Sequence, residues 1–480
     1  MTQRTEIVVI GSGPGGAITA CTLAEAGRQV TLAEDGPFLA QNSCHPFSIE
    51  EIEQKYRNGG VTTTFGNTKV AYAEGRCVGG GSEINSGLYH RTPAEVLERW
   101  RREFGLVDAS EEEMRQHFES CERDLSVSYL PGPAPEASLR LYGGATALGW
   151  HAIEVPRWFR YDRTPAPIGE RQSMSRTYVQ RALAAGCCLV PDTRIRMLSR
   201  SERLWRLEGT TLESSGARRA FRLDAETVFV CGGTVQTALL LRRSGLRRNI
   251  GNTLQIHPTV KVIARFDHEV NNEQTGVPVH QIKQFAPEIS MGCSISTRAF
   301  LALGLAGFPG RVAALEQSWR NLAVYYAMIA PAGGGLVRSI PGFDDALVRY
   351  RFAPADYRSL ALGLRRLCQA LVAGGAVELF PALAGANPIT HPDQLDGLAT
   401  ETLLARSSLM TIHLFSSCPM GENQSKCAAD SYGKVHGVPN LYVSDASLLC
   451  SAPGVNPQGT VMAFARRNAL RFLDSARPTT

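Results

Sequence analysis

The chain has 480 residues, of which 44% are hydrophobic and 20% charged, with 50 Lys and Arg against 45 Asp and Glu. That length suits a large domain with a subdomain, or two to three modules, and the composition excludes a disordered chain. A net charge of +5 without any long basic block argues against nucleic acid as the main partner, and no apolar stretch reaches the ~18 residues that a membrane span needs.

The N-terminal run TEIVVI (5–10) predicts a buried strand, Gly11 to Gly16 a glycine turn, and Ala17 to Ala26 a helix of small residues ended by Gly27. QVTLAE (29–34) predicts the next strand, completing a βαβ unit. The first apolar run is short, carries Glu6 and passes straight into glycines, so it is read as a strand and not as a cleavable signal, and the chain is expected to be cytoplasmic. Gly11, Gly13 and Gly16 fit G-x-G-x-x-G, in which glycines let the backbone approach a pyrophosphate held at the following helix N-terminus. Glu34 ends the second strand where a carboxylate would accept hydrogen bonds from a ribose diol and repel a 2′-phosphate. At this point NAD and FAD both remain open.

Further along, EGRCVGGGSEIN (74–85) is a second glycine cluster, and residues 108–125 predict an amphipathic helix with acids in its first turn. A Pro-rich connector, LPGPAPEA (130–137), follows. ETVFVCGG (226–233) predicts a strand leading into a helix. From about 259 to 400 strand-like runs such as TVKVIARF and NLAVYYAMIAP alternate with helices such as 356–376. The 12 cysteines show no C-x-x-C pair and no metal-like spacing with His, so they are read as reduced structural thiols, with no metal site. The pattern is that of a nucleotide-binding domain in separated pieces, with inserted segments forming a second domain.

Three later stretches decide for FAD. They are EGRCVGGGSEIN (74–85), CGGTVQTALLLRRSGL (231–246), and NLYVSDASLL (440–449), whose strand ends at the lone acid Asp445. Together with the βαβ unit they resemble the glucose–methanol–choline (GMC) oxidoreductase family, over roughly residues 5–100, 175–260 and 405–475. The second stretch departs from the family signature at Ala238 and Arg247. IGNTLQIHP (250–258) is similar to the family's short stretch leading to His-Pro.

The resemblance implies an α/β fold with a Rossmann-like FAD-binding domain (1–100, 175–265 and 401–480). It also implies a substrate domain with an antiparallel sheet (101–174 and 266–400). It assigns Gly11, Gly13, Gly16 and Glu34 to the ADP half of FAD. Arg76, Gly80, Ser82 and Asn85 are expected along the pyrophosphate and flavin, and Asp445 with Ala446 at the ribityl chain. Pro14, Asp35, Ile195, Cys231, Gly232, Asn456, Pro457 and Gln458 complete the expected cofactor-facing set. Several relatives attach FAD through a His two residues after the motif's Ser. Here that residue is Ile84, so the FAD is expected to be non-covalent.

The resemblance also points to a catalytic pair, His413 in IHLFSSCPMG and Asn456 in GVNPQGT. Each alone has an ordinary reading: a lone His is more often structural, and Asn456 before Pro457 looks like a helix N-cap with Pro at the first helical position. Together they match the His/Asn form of the family, similar to bacterial sterol oxidases and long-chain fatty alcohol oxidases. Oxidising an alcohol removes the hydroxyl proton, which an imidazole can take at neutral pH, while hydride passes to flavin. An Asn amide can donate to the developing alkoxide. The helix opening near Pro457 would aim its N-terminal amides at the flavin. Some sterol-oxidising relatives use a Glu of the substrate domain as base, and no residue here aligns with it. His90 can lie near the site, whereas His257 and His436 are read as structural.

The expected function is therefore FAD-dependent oxidation of a CH–OH group of a small-molecule alcohol, with O2 or another acceptor. Apolar runs such as RAFLALGLAGF (298–308) favour a fatty, terpenoid or sterol-like substrate. Two alternatives stay open: oxidation of a sugar or amino-sugar hydroxyl, and an NAD(P)H-dependent flavoprotein reductase or monooxygenase. Against the latter, no second dinucleotide fingerprint is present, since GGGLVRSIPG (333–342) lacks a strand–turn–helix context.

Overall fold

The computed structural model describes residues 3–162, 169–383, 386–391, 393, 394, 407 and 409–475. β1 (Gln3–Ile10), α1 (Pro14–Glu25) and β2 (Val30–Ala33) form the first βαβ unit. α1 begins earlier than the apolar pattern predicts. Pro14 needs no amide partner at the first helical position, and Gly13 serves as the extended N-cap.

These strands belong to a seven-stranded sheet in the order Thr193–Ser201, Leu204–Leu212, Arg218–Val230, β1, β2, Cys188–Val190. Leu441–Val443 pairs in parallel with the end of Arg218–Val230. The register levels the strand ends: Ile10 lies opposite both Val230 and Ala33, and Val230 opposite Val443. Four chain segments (11–16, 34–36, 231–233 and 444–446) therefore leave the sheet at one edge. In open sheets the crevice beyond the carboxyl ends of parallel strands is where ligands bind.

A second, eight-stranded sheet is built mainly of antiparallel pairs around Thr259–Arg265, which adjoins Leu322–Ile329. Ile289–Cys293, His280–Ile282 and Ala152–Glu154 extend it on one side, and Leu409–Thr411 and Val70–Tyr72 on the other. Pairing sets Gln281 opposite Gly292, Gly292 opposite Tyr326, and Tyr326 opposite Lys261, so these four share one face. The opposite face carries Ala323, Tyr325 and Ala327, fully buried, with Pro354–Ala373 packed on that strand.

The predicted helix at 108–125 is Glu111–Asp124, started by Ser110 in a capping box with Glu113. All 12 cysteines are unpaired and ten are buried, so no disulfide holds the chain. No helix among the described residues is long and apolar enough to cross a membrane.

Candidate active site

A cavity of ≈ 280 Å³ runs along that sheet edge. Most of the expected cofactor residues line it: Gly11, Gly13, Pro14, Glu34, Asp35, Gly80, Asn85, Ile195, Cys231, Gly232, Asp445, Ala446, Asn456, Pro457 and Gln458, together with His413. Gly16, Arg76 and Ser82 are not among its lining residues. A Cβ at Gly16 would fall 1.8 Å from the Gly11 carbonyl oxygen, so this glycine serves helix-to-strand packing. Ser82 is buried, donating to the Gly79 carbonyl (2.8 Å) and accepting from the Met174 amide (2.9 Å). Arg76 reaches Asp35 Oδ1 at 3.4 Å from a partly exposed position.

The glycine turn is shaped by what it meets. Gly11 has φ +99° and a Cβ there would lie 2.3 Å from the Cys231 carbonyl oxygen. Gly13 differs: the nearest protein atom to its would-be Cβ is Gly80 Cα at 4.0 Å. A side chain at Gly13 would enter open space beside the cavity, the room a close-lying phosphate backbone needs. Above it, the start of α1 has no side-chain cap, so its first amides are free to meet an anion.

Glu34 is buried and accepts three hydrogen bonds from the protein, which leaves Oε1 with a free acceptor site. Its Oε2 accepts from the Ser12 amide (2.9 Å) and hydroxyl (2.7 Å), and its Oε1 from the Gly36 amide (2.9 Å). Burial raises its carboxyl, and the Ser12 bonds oppose that. Beside it lies a charged cluster that sequence reading missed. Arg57 Nη1 is 2.9 Å from Asp35 Oδ2, Arg194 Nε 3.8 Å from the same oxygen, and Gln236 Nε2 donates to Glu74 Oε2 at 3.2 Å. Burial would raise Asp35, but Arg57, Arg76 and Arg194 together hold it below its usual range. Arg57, Glu74, Arg194 and Gln236 all line the cavity. They lie in four separate segments: Glu74 and Gln236 fall in the stretches 74–85 and 231–246, whereas Arg57 and Arg194 belong to no motif.

Asp445 joins two strand ends. Its Oδ2 accepts from the Gly233 amide (2.8 Å) and Thr237 Oγ1 (2.5 Å), and its Oδ1 from the Ser447 amide (2.8 Å) and hydroxyl (2.5 Å). Asn85 Nδ2 donates to Gln458 Oε1 at 2.6 Å, tying the second glycine cluster to the C-terminal helix Gln458–Ser475.

His413 and Asn456 line the same cavity. The N-cap reading of Asn456 needs correcting. The first helical bond runs from the Val461 amide to the Pro457 carbonyl (3.0 Å), so Pro457 occupies the cap position. The Asn456 side chain is engaged elsewhere: its Oδ1 accepts from Gln281 Nε2 at 3.2 Å, and Gln281 also donates to Tyr326 Oη at 2.8 Å. Lys283, two residues along the chain, donates to Ser290 Oγ at 2.8 Å, and burial pushes it down to about 8.

His257 is likewise more than a turn residue. Its Nδ1 is 3.1 Å from His413 Nδ1, and its Nε2 accepts from the Gly454 amide at 3.1 Å. Burial pushes His413 down to about 4, and burial, with His413 and Lys283 nearby, drives His257 well below its ordinary value. Burial, with Lys283 and His413, lowers His90 well below its ordinary value, but His90 is not among the residues lining the cavity. Beside Asn456 the cavity lining carries the neutral imidazole of His413, backed by His257, and an amide oriented by Gln281. Such groups can donate to, or take a proton from, a bound hydroxyl.

Comparison with known proteins agrees with this geometry. Family models described as GMC oxidoreductase match residues 52–259 and 344–465. An uncharacterized GMC-type oxidoreductase of Sinorhizobium fredii is 40% identical over 97% of this chain and 94% of its own length. A long-chain-alcohol oxidase of Arabidopsis thaliana is 24% identical over 96% of this chain and 67% of its own. The crystal structure of a pyridoxine 4-oxidase from Mesorbium loti superposes with a TM-score of 0.73 at 18% identity, covering 98% of this chain and 99% of that one. At that identity the likeness concerns the fold.

Proposed function

The chain belongs to the GMC oxidoreductase family and is an FAD-dependent enzyme, and from that premise we propose that it oxidises an alcohol CH–OH group to an aldehyde or ketone. Bound FAD supplies the hydride acceptor for this chemistry. The residues present fit it: Gly13 leaves room for a close phosphate, the uncapped start of α1 offers amides, and Glu34 stands at the end of β2. Ile84 lines the cavity and offers no nucleophile, so the cofactor is held without a covalent bond.

The observation that carries the reading is the placement of His413 and Asn456 in the lining of the same cavity as the glycine turn. His413 acts on the substrate hydroxyl as base or hydrogen-bond partner, and the Asn456 amide donates to the oxygen as charge builds on it. A pre-organised donor of this kind lowers such a barrier by about 3–4 kcal/mol. The start of the C-terminal helix, at Pro457 and Gln458, also lines the cavity and adds its partial positive charge. The discontinuous division into cofactor domain (1–100, 175–265, 401–480) and substrate domain (101–174, 266–400) belongs to the same proposal, as do O2 or another acceptor and a cytoplasmic setting.

For the substrate, similarity to long-chain-alcohol oxidases supports a hydrophobic alcohol. The polar groups beside Asn456, namely Gln281 and the Tyr326 hydroxyl it donates to, favour a second reading in which the alcohol carries polar substituents, as a sugar does. Anaerobic mixing with a panel of fatty, terpenoid and sugar alcohols tests both: the right class bleaches the flavin absorbance without NAD(P)H. Bleaching by NAD(P)H alone overturns the alcohol reading. Peroxide release in air then identifies O2 as the acceptor.

A further inference from the structure

Two hydrogen bonds determine where the proton of His413 sits. The Gly454 amide donates to His257 Nε2 at 3.1 Å. A backbone N–H can only donate, so this nitrogen carries the ring's lone pair, and neutral His257 holds its proton on Nδ1. That Nδ1 is 3.1 Å from His413 Nδ1, with the two rings edge to face at 82°. His257 therefore donates to His413, whose Nδ1 must present a lone pair and whose own proton must sit on Nε2. Protonating His413 at Nδ1 would set two N–H groups head to head. Burial keeps both rings neutral in any case.

His413 thus offers an N–H toward a ligand in the cavity, not a lone pair. Asn456 offers the same, because its oxygen is taken by Gln281 and its NH2 is left for the ligand. Two donors can hold an alkoxide oxygen, but neither can accept the hydroxyl proton.

We propose that His257 is a positioning residue that locks His413 in its Nε2–H tautomer, so that His413 meets a substrate oxygen as a hydrogen-bond donor beside the Asn456 NH2. The donor role toward substrate rests on the alcohol-oxidation reading; the tautomer lock does not.

Nitrogen NMR of the ¹⁵N-histidine-labelled, FAD-loaded protein reads the lock directly, with His413→Gln identifying the His413 signals. The wild type is expected to show His413 protonated at Nε2 and bare at Nδ1. His257→Leu should release it into a mixture of tautomers. His257→Asn, whose amide nitrogen can stand where Nδ1 stood, should restore the Nε2–H form. A wild-type His413 protonated at Nδ1 overturns the lock, as does a His257→Leu protein whose signals do not change.

Discussion

Gln281 Nε2 donates to Asn456 Oδ1 across 3.2 Å, from a strand of one sheet to the segment that precedes the C-terminal helix. The contact gives the Asn456 amide a direction, oxygen toward the sheet and nitrogen free for a ligand. Loss of that direction should be measurable. Gln281→Leu keeps the volume and removes the donor. A neutral hydrogen bond contributes about 1 kcal/mol, so flavin reduction should slow by roughly 5- to 10-fold with FAD still bound. A rate equal to wild type would mean the amide is oriented by something else.

Asn456→Asp separates a catalytic amide from a structural one more sharply. The carboxylate can still accept from Gln281, and Pro457 still occupies the cap position. It now sets a negative oxygen where an N–H stood. Reduction by alcohol should fall by about 10²–10³-fold, the usual effect of losing one oxyanion donor. Stopped-flow absorbance of the flavin measures it, and near-wild-type rates would return Asn456 to a structural role.

His413→Ala should retain FAD, because His413 takes part in neither the glycine turn nor the Arg57–Asp35 pair, and slow flavin reduction by about 10²–10³-fold, the usual effect of losing one oxyanion donor. Unchanged reduction removes His413 from the mechanism.

Gly13→Ala tests the cradle. Its Cβ would stand 4.0 Å from the nearest protein atom, so the apoprotein should fold and melt as wild type does. The methyl group takes space the cofactor needs, so flavin content after purification should drop. Equal flavin content in the two proteins would place the phosphates elsewhere. In the wild type, acid precipitation should leave all yellow colour in the supernatant, since Ile84 makes no covalent link; colour in the pellet contradicts this.

Acidification has a signed effect through the buried imidazoles. His413 drops from 6.5 to about 4 on folding, so between those values the unfolded chain binds a proton that the folded one refuses. Stability therefore rises with pH across that window and falls as pH drops from about 6.5 toward 4. Asp35, held below its usual range by arginines despite burial, adds stability above the ordinary Asp pKa that is lost as pH falls through its lowered value. Thermal melts of the apoprotein over a pH series should show a shallower loss between 6.5 and 4 in His413→Ala. An identical slope would show that His413 is already protonated in the folded state.

Much of the cofactor cavity was legible because its signals are local. The glycine spacing at 11–16, the acid ending β2 and the lone Asp445 after a strand each announce a turn or a strand end within a few residues. Even there, roles shifted on folding: Gly16 packs against a carbonyl, Ser82 braces the 174 amide, and the bound partners of Asp445 are Gly233, Thr237 and Ser447. Arg57 and Arg194 carried no signal, since a lone arginine in a loop or strand looks the same whether it faces solvent or a buried carboxylate.

By itself the sequence determined the βαβ unit, the order of glycine clusters and acids, and the residue types His413 and Asn456. These depend on backbone freedom and hydrophobic period, which act over a few neighbours. Only the tertiary structure decided what those two residues do with their polar atoms. Asn456 is turned by Gln281, 175 positions away, and His413 is met by His257 at a separation of 156. A hydrogen bond needs its partners within about 3 Å and in line, and sheet register, not spacing along the chain, brings such partners together.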